Sequence, residues 1–254
     1  MTVPTADLSG KIALVTGATR GIGYAIALAL ANAGADVAVA SRHEPESERV
    51  AGEIRKIGRR AVAVAADLCD VSQIAPMVHR VEQELGPIDI LVNNAGTNQV
   101  EPSLEVTLDT WDRLLNVNLR APFFCATTVA KGMLERRRGK IINIASEAGI
   151  NGLPEHAAYG TSKAGLLMLT RILAVEWGSR NIQVNAISPG PTWTDMTGPA
   201  MDIPEIRDKL LARGVAGRIC NPEEVGAAAV FLASDAANMI MGQSINIDGG
   251  STAK

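Results

Sequence analysis

Cysteine is scarce in this chain, and its members stand apart. Cys69, Cys125 and Cys220 form no CxxC pair, which speaks against a disulfide framework and against a cysteine zinc site. Histidine is equally sparse: His43, His79 and His156 show no ligand spacing, so no metal is expected. No apolar run approaches the roughly 18 residues of a membrane span. Met1 to Gly10 carry neither a basic flank nor an apolar core, the marks of a secretion signal. A reducing, cytoplasmic setting is therefore expected. An excess of one charge is also missing, since the net charge is −3. The one dense basic cluster, Arg136-Arg137-Arg138, suits the end of a helix, where cations meet the negative end of the dipole. Nucleic acid is not an expected partner.

What the chain does have is apolar residues, 47% of its 254. A single domain of this length buries roughly three quarters of its unfolded surface and needs no disulfide or metal for stability. Short β-rich runs recur near Ile12–Val15, Val37–Ala40, Ala61–Ala66, Ile88–Val92, Lys140–Ala145, Ile182–Ile187 and Ser244–Ile247. They are almost continuously apolar, as strands buried on both faces are. Between them lie segments long enough for crossover helices, among them Gly21–Ala33, Val71–Leu85, Leu108–Arg136, Tyr159–Trp177 and Pro222–Ala233. The pattern predicts an α/β fold, one doubly wound Rossmann-type domain over 1–254 with a seven-stranded parallel sheet and helices on both faces. The stretch Thr192–Gly214 follows Pro189-Gly190-Pro191 and carries Gly198, Pro199 and Pro204. It reads as an insertion over one sheet edge, a substrate lid.

The run "KIALVTGATRGIGYAIALAL" is a strand, a glycine turn and a helix, with Gly17, Gly21 and Gly23 spaced GxxxGxG. Small residues let the backbone approach a pyrophosphate, and the helix N-terminus offers free N–H groups. Thr19, Arg20 and Ile22 share this loop and count with the nucleotide-binding residues. The second strand ends in "VAVASRHE". An acidic residue is expected about there when a ribose 2′-hydroxyl must be held; Ser41 and Arg42 stand there instead. With Arg20 they suit a 2′-phosphate. Asp67, followed by Leu68, ends the third strand, placed to accept from an adenine amine. The turn Asn93–Gly96, with Asn94, Ala95 and Gly96, lies at the carboxyl edge where such sheets bind ligands.

Tyrosine occurs only twice, and Tyr159 stands four residues before Lys163. On a helix the two share a face. A free phenol has a pKa of about 10, too high for efficient proton exchange near neutrality. A cation beside it favours the phenolate, so Lys163 is expected to tune Tyr159 as a general acid or base. Ser146 follows the fifth strand at the same edge, where a hydroxyl can bond a substrate carbonyl. Asn118 falls inside a long helical stretch, where Asn is a poor helix former. A local kink, with its amide turned to a water or a lysine, is expected, and Pro122 supports an irregular helix.

With these residues in hand, the chain resembles the short-chain dehydrogenase/reductase family over essentially its whole length. The matching elements are TGATRGIG (16–23), Asp67, NNAG (93–96), Asn118, Ser146, YGTSK (159–163), SPG (188–190) and NIDGG (246–250). The resemblance implies a catalytic tetrad of Asn118, Ser146, Tyr159 and Lys163. It implies that Lys163 holds the nicotinamide ribose beside Tyr159, and that Pro189, Gly190, Thr192 and Thr194 flank the nicotinamide. The Tyr159–Trp177 helix is apolar nearly all round, which leaves surface that a monomer would expose; the resemblance adds a second interface through the C-terminal strand and the Pro222–Ala233 helix, and a homotetramer is expected. Tyr24 stands where Arg or Lys is frequent, and Ala121 where Gly is usual.

The reading that follows is an NADP(H)-dependent oxidoreductase acting on a carbonyl or secondary alcohol, with no metal. Two rivals stay open: an NAD-dependent alcohol or sugar (acid) dehydrogenase, and a catalytically idle nucleotide-sensing or interaction protein. Thr97, Asn98, Gln99, Glu147, Asn151, His156 and Trp193 are candidates for lining the substrate pocket, Ser146 with them. Their polarity leans toward a polyol or sugar acid. The chain resembles 3-oxoacyl-carrier-protein reductases and gluconate-type dehydrogenases about equally, and fold alone does not name a substrate.

Overall fold

A computed structural model of the chain describes residues 6–194, 197–198 and 202–254. Seven parallel strands form one sheet: β1 (Ile12–Thr16), β2 (Asp36–Ser41), β3 (Ala61–Ala65), β4 (Ile90–Asn93), β5 (Gly139–Ile144), β6 (Ile182–Pro189) and β7 (Ser244–Ile247). Their order is β3-β2-β1-β4-β5-β6-β7. The order reverses between β1 and β4, and at such a switch point a crevice opens beyond the carboxyl ends.

The strands are apolar throughout because each face meets helices. Along β1, Ala13 and Val15 enter one core and Ile12 and Leu14 the other, as period-2 side chains must. The first core is covered by α1 (Gly21–Asn32), α2 (Glu44–Lys56) and, near the C-terminus, the Pro222–Ala233 helix. The second takes α3 (Ile74–Glu84), α5 (Ala121–Arg136) and α6 (Ala157–Trp177).

Three elements differ from expectation. The helix expected over 108–136 is two helices, α4 (Leu108–Leu115) and α5, joined by a π turn at Asn116–Arg120. The helix expected from Val71 opens with a 3₁₀ turn, Val71–Gln73, before α3. A further helix, α7 (Pro204–Arg213), fills part of the segment 192–214 and buries none of its residues; 195–196 and 199–201 of that segment lie outside the described residues. Pro222–Ala233 is α8. The arginine cluster does end a helix: Arg137 caps α5 in the left-handed region, φ 51°, and Arg138 pairs with Asp89 at 2.7 Å. Among the described residues no helix is long and apolar enough to cross a membrane.

Candidate active site

The glycine loop runs from β1 into α1. Gly17 has φ +63°, and a Cβ there would stand 2.9 Å from Ala95 Cα, so only glycine lets the β4 turn close onto the loop. Asn94 locks that turn: its Nδ2 donates to the Thr16 and Gly17 carbonyls at 2.9 and 3.0 Å. The N-cap of α1, Arg20, is extended and offers no side-chain cap, which leaves first-turn N–H groups for an anion. Thr194 packs on the loop, its Cγ2 3.2 Å from where a Gly21 Cβ would lie. Gly21, Tyr24, Ala25, Trp193 and Thr194 line a cleft of about 560 Å³. Thr192 is buried and bonds the Gly190 carbonyl at 2.9 Å.

Arg20 and Arg42 are exposed, and neither makes an ion pair or side-chain hydrogen bond among the described residues. Ser41 is less free than expected. Its hydroxyl accepts from the His43 N–H at 3.2 Å and lies 3.0 Å from the His43 carbonyl and 2.8 Å from Ser47 Oγ. Its one proton already has intrachain acceptors, because the turn into α2 folds back on it. A cation that sequence spacing did not indicate is Arg49. It donates to the Thr19 carbonyl at 2.9 Å and lies 5.7 Å over the Tyr24 ring. Asp67 is half-buried beside Leu68 and accepts from the Cys69 N–H at 3.0 Å. These features fit a dinucleotide: a helix N-terminus without a side-chain cap, a backbone kept small, and two cations, Arg20 and Arg42, without side-chain partners among the described residues.

Beyond β4 and β5 the remaining residues converge. Lys163 is buried, and its Nζ donates to the Ile144 carbonyl at 2.8 Å and lies 5.8 Å from the Tyr159 ring centroid. Burial pushes its pKa down to about 8. Asn118 meets this group through the β4 loop: a Cβ on Gly96 would stand 3.2 Å from Asn118 Oδ1 and 3.5 Å from Lys163 Nζ. The Asn118 amide, expected to turn to a water or a lysine, makes its hydrogen bonds to Thr97 and Ser162. Oδ1 accepts from the Thr97 N–H at 2.9 Å, and Nδ2 donates to the Thr97 carbonyl at 2.9 Å and to Ser162 Oγ at 3.0 Å. It clamps the β4 loop to α6. The expected kink is present as the π turn. Pro122 has no N–H, so the Asn118 carbonyl lacks its α-helical donor four residues on.

The tuning of Tyr159 also differs from expectation. The phenol's pKa is raised, first by burial and further by the Glu147 carboxylate, against a lowering hydrogen bond from Ser146. Lys163 is itself desolvated and does not overcome this in the chain alone. Ser146 and Glu147 are both buried, held by a 3₁₀ turn at Glu147–Gly149 that the Ser146 hydroxyl caps, accepting from the Ala148 N–H at 3.1 Å. His156 stands at the rim, its ring 6.1 Å from that of Tyr159. Trp193 is 53% exposed. Asn151 is turned away to the Ser251 carbonyl at 3.3 Å. Thr97 and Gln99 hydrogen-bond Arg113, and Asn98 Oδ1 is buried without a partner. Arg113, and Arg213 through Glu147 Oε1 at 3.3 Å, thus contact candidate pocket residues, and neither was indicated by the sequence.

The family model described as enoyl-(acyl carrier protein) reductase matches residues 17–252. D-threitol dehydrogenase of Mycolicibacterium smegmatis is 42% identical over 97% of this chain and 95% of its own. The chain belongs to the short-chain dehydrogenase/reductase family. Gluconate 5-dehydrogenase of Gluconobacter oxydans is 38% identical, with 97% of this chain and 96% of that one covered. The crystal structure of a gluconate 5-dehydrogenase from Burkholderia cenocepacia in complex with NADP and tartrate superposes with a TM-score of 0.95 at 36% identity, covering 99% of each chain. As a short-chain dehydrogenase/reductase the protein is an oxidoreductase that transfers hydride between a nicotinamide cofactor and a carbonyl or alcohol.

Proposed function

We propose that the chain is an NADP(H)-dependent dehydrogenase of polyols or sugar acids, interconverting a secondary alcohol and its ketone. The observation that carries this is one sheet edge bearing Ser146, Tyr159 and Lys163 beside a glycine loop with two unpaired exposed cations, Arg20 and Arg42. The substrate class is supported by the relatives named for threitol and gluconate, and the cofactor by the NADP in the Burkholderia enzyme.

In this reading Gly17, Thr19, Gly21, Ile22 and Gly23 form the pyrophosphate cradle. Arg20 and Arg42 receive the 2′-phosphate, with Ser41 a donor only after its bond to His43 is exchanged. Asp67 and Leu68 border the adenine. Asn94, Ala95, Gly96, Pro189, Gly190, Thr192 and Thr194 border the nicotinamide riboside, and Lys163 bonds its ribose. Bound there, the nicotinamide supplies or takes up the hydride.

The chain's own residues handle the proton. Ser146 donates to the substrate oxygen as negative charge develops on it. Tyr159, whose raised pKa keeps it protonated, delivers a proton in the reducing direction and accepts one in the other. The Asn118 carbonyl, freed by Pro122, orders the water that connects Lys163 to solvent. The span 192–214, with α7, serves as the lid.

The deciding measurement is kcat/KM for NADPH against NADH with threitol and with gluconate. One retained charge-assisted bond of about 1.5–3 kcal/mol is about tenfold or more in affinity, so NADPH is expected to lead by at least about tenfold. Ser41→Asp with Arg42→Ala should turn the preference toward NADH. A wild-type ratio near one, or no turnover of any hydroxylated substrate, overturns the proposal.

A further inference from the structure

Four carboxylates are buried among the described residues: Asp36, Asp89, Glu147 and Asp248. Three of them are saturated. Asp36 accepts from Arg59 at 2.9 Å and from the Arg60 side chain and backbone at 2.8 and 3.0 Å. Asp89 accepts from Arg138 and from the Ile12 N–H. Asp248 accepts from the Gly250 and Thr252 N–H groups and the Thr252 hydroxyl. These acids fasten the scaffold, and both oxygens of each are used.

Glu147 breaks that pattern. It is 3% exposed, yet only Oε1 has a partner, Arg213 Nη1 at 3.3 Å. That is long beside the roughly 2.7–2.9 Å of a well-formed charge-assisted bond. Oε2 is sealed from solvent and has no donor. A buried carboxylate oxygen without a donor is costly. The 3₁₀ turn nevertheless fixes it in place directly after Ser146. Its partner Arg213 is the last residue of α7. That helix buries nothing and is tied at its C-terminal end, where Lys254 Nζ donates to the Ala212 carbonyl and the Val215 N–H to the Gly249 carbonyl.

We propose that Glu147 determines specificity by reading a hydroxyl next to the reacting carbon: Oε2 accepts that hydroxyl's hydrogen bond while Arg213 orients the carboxylate through Oε1. This rests on the polyol or sugar-acid reading above. Glu147 sits beside the catalytic serine, and its charge reaches the Tyr159 phenol. For a substrate with one oxygen at Ser146 and Tyr159, the neighbouring hydroxyl reaches Oε2 only as binding uncovers that carboxylate oxygen. Glu147 so placed is a binding group, and it donates no proton in the reaction.

The test uses the full-length enzyme with NADP⁺ and two probes that differ by one hydroxyl, butane-2,3-diol and butan-2-ol. The wild type should favour the diol by at least about tenfold in kcat/KM, the effect of one hydrogen bond to a charged group. Glu147→Gln should cut that ratio about 10- to 100-fold. It should also move the pH midpoint of kcat downward, because a carboxylate that holds the phenol protonated is gone while Lys163 and His156, which also face Tyr159, remain. NADPH binding by fluorescence checks that the variant is folded. Equal use of the two probes by the wild type overturns the inference, and needs no variant. So does an unchanged ratio in a Glu147→Gln enzyme that binds NADPH. A wild type active on threitol or gluconate alongside either result leaves the function standing and removes only this role for Glu147. A wild type inactive on every hydroxylated substrate removes both.

Discussion

Tyr159 stands in surroundings that oppose its own ionisation. Burial and Glu147 both raise its pKa, and Ser146 counters only in part. Burial lowers the Lys163 pKa to about 8, below the roughly 10.4 of a free lysine. The pair was legible in the sequence as two residues four apart on one helix face. The sign of the shift was not, because desolvation depends on what packs around the ring. Arg49 and Arg213 escaped notice for a related reason: Arg49 bonds a carbonyl 30 residues away and Arg213 a carboxylate 66 residues away. Tyr159→Phe keeps the ring and removes the proton. Turnover should fall by a factor on the order of 10²–10⁴, the range for general acid–base catalysis, while NADPH binding stays within a few-fold. A variant that loses cofactor binding but turns over normally per bound cofactor would assign Tyr159 to packing instead.

At the scale of the element, the π turn at Asn116–Arg120 matters most. An uninterrupted helix over 108–136 would consume the Asn118 carbonyl in an i to i+4 bond. Pro122 sits at the position that would donate, and it has no N–H. π bulges within α-helices occur often at functional sites. The irregular helix was foreseen from Asn118 and Pro122, and the structure forms it as a π turn. The Asn118 side chain is spent on Thr97 and Ser162, and Pro122 offers its backbone carbonyl no donor four residues on. Pro122→Ala returns an N–H to that carbonyl and permits a regular helix. A melting temperature within a few degrees of wild type and a kcat lower by about tenfold are expected. That factor is about 1.4 kcal/mol in the barrier. Unchanged kcat with the same substrate would show that the freed carbonyl has no part in proton transfer.

On the scale of the whole molecule, two groups of exposed apolar side chains stand out among the described residues. One combines Phe123 and Phe124 of α5 with Met168, Ile172 and Val175 of α6, and Val175 is 84% exposed. The other lies at the β7 edge of the sheet, with Phe231 of α8 and Met239, 92% exposed. Soluble monomers rarely leave such patches bare. We propose that both are interfaces between copies of this chain, and that two different self-complementary faces make a tetramer. Light scattering at micromolar concentration should report four chains. Ile172→Glu with Val175→Glu should split the assembly to dimers, since a buried unpaired charge is far more costly than an exposed one. A monomeric wild type refutes the assembly.

The sequence by itself determined the strands, their parallel arrangement and the glycine loop, because these rest on short-range rules. Continuous apolar runs demand burial on both faces, period-2 alternation divides β1 between two cores, and a glycine loop between strand and helix exposes N–H groups. It also marked Asn118, Ser146, Tyr159 and Lys163, since a phenol, an ammonium, a hydroxyl and a misplaced amide are conspicuous in an apolar setting. Only the tertiary structure decided which groups spend their hydrogen bonds inside the chain and which keep one in reserve. Ser41 was turned back on His43, Asn118 onto Thr97, and Glu147 was left with one oxygen bare beside Ser146. Desolvation and hydrogen-bond satisfaction are properties of the packed neighbourhood, and that neighbourhood is assembled from residues far apart along the chain.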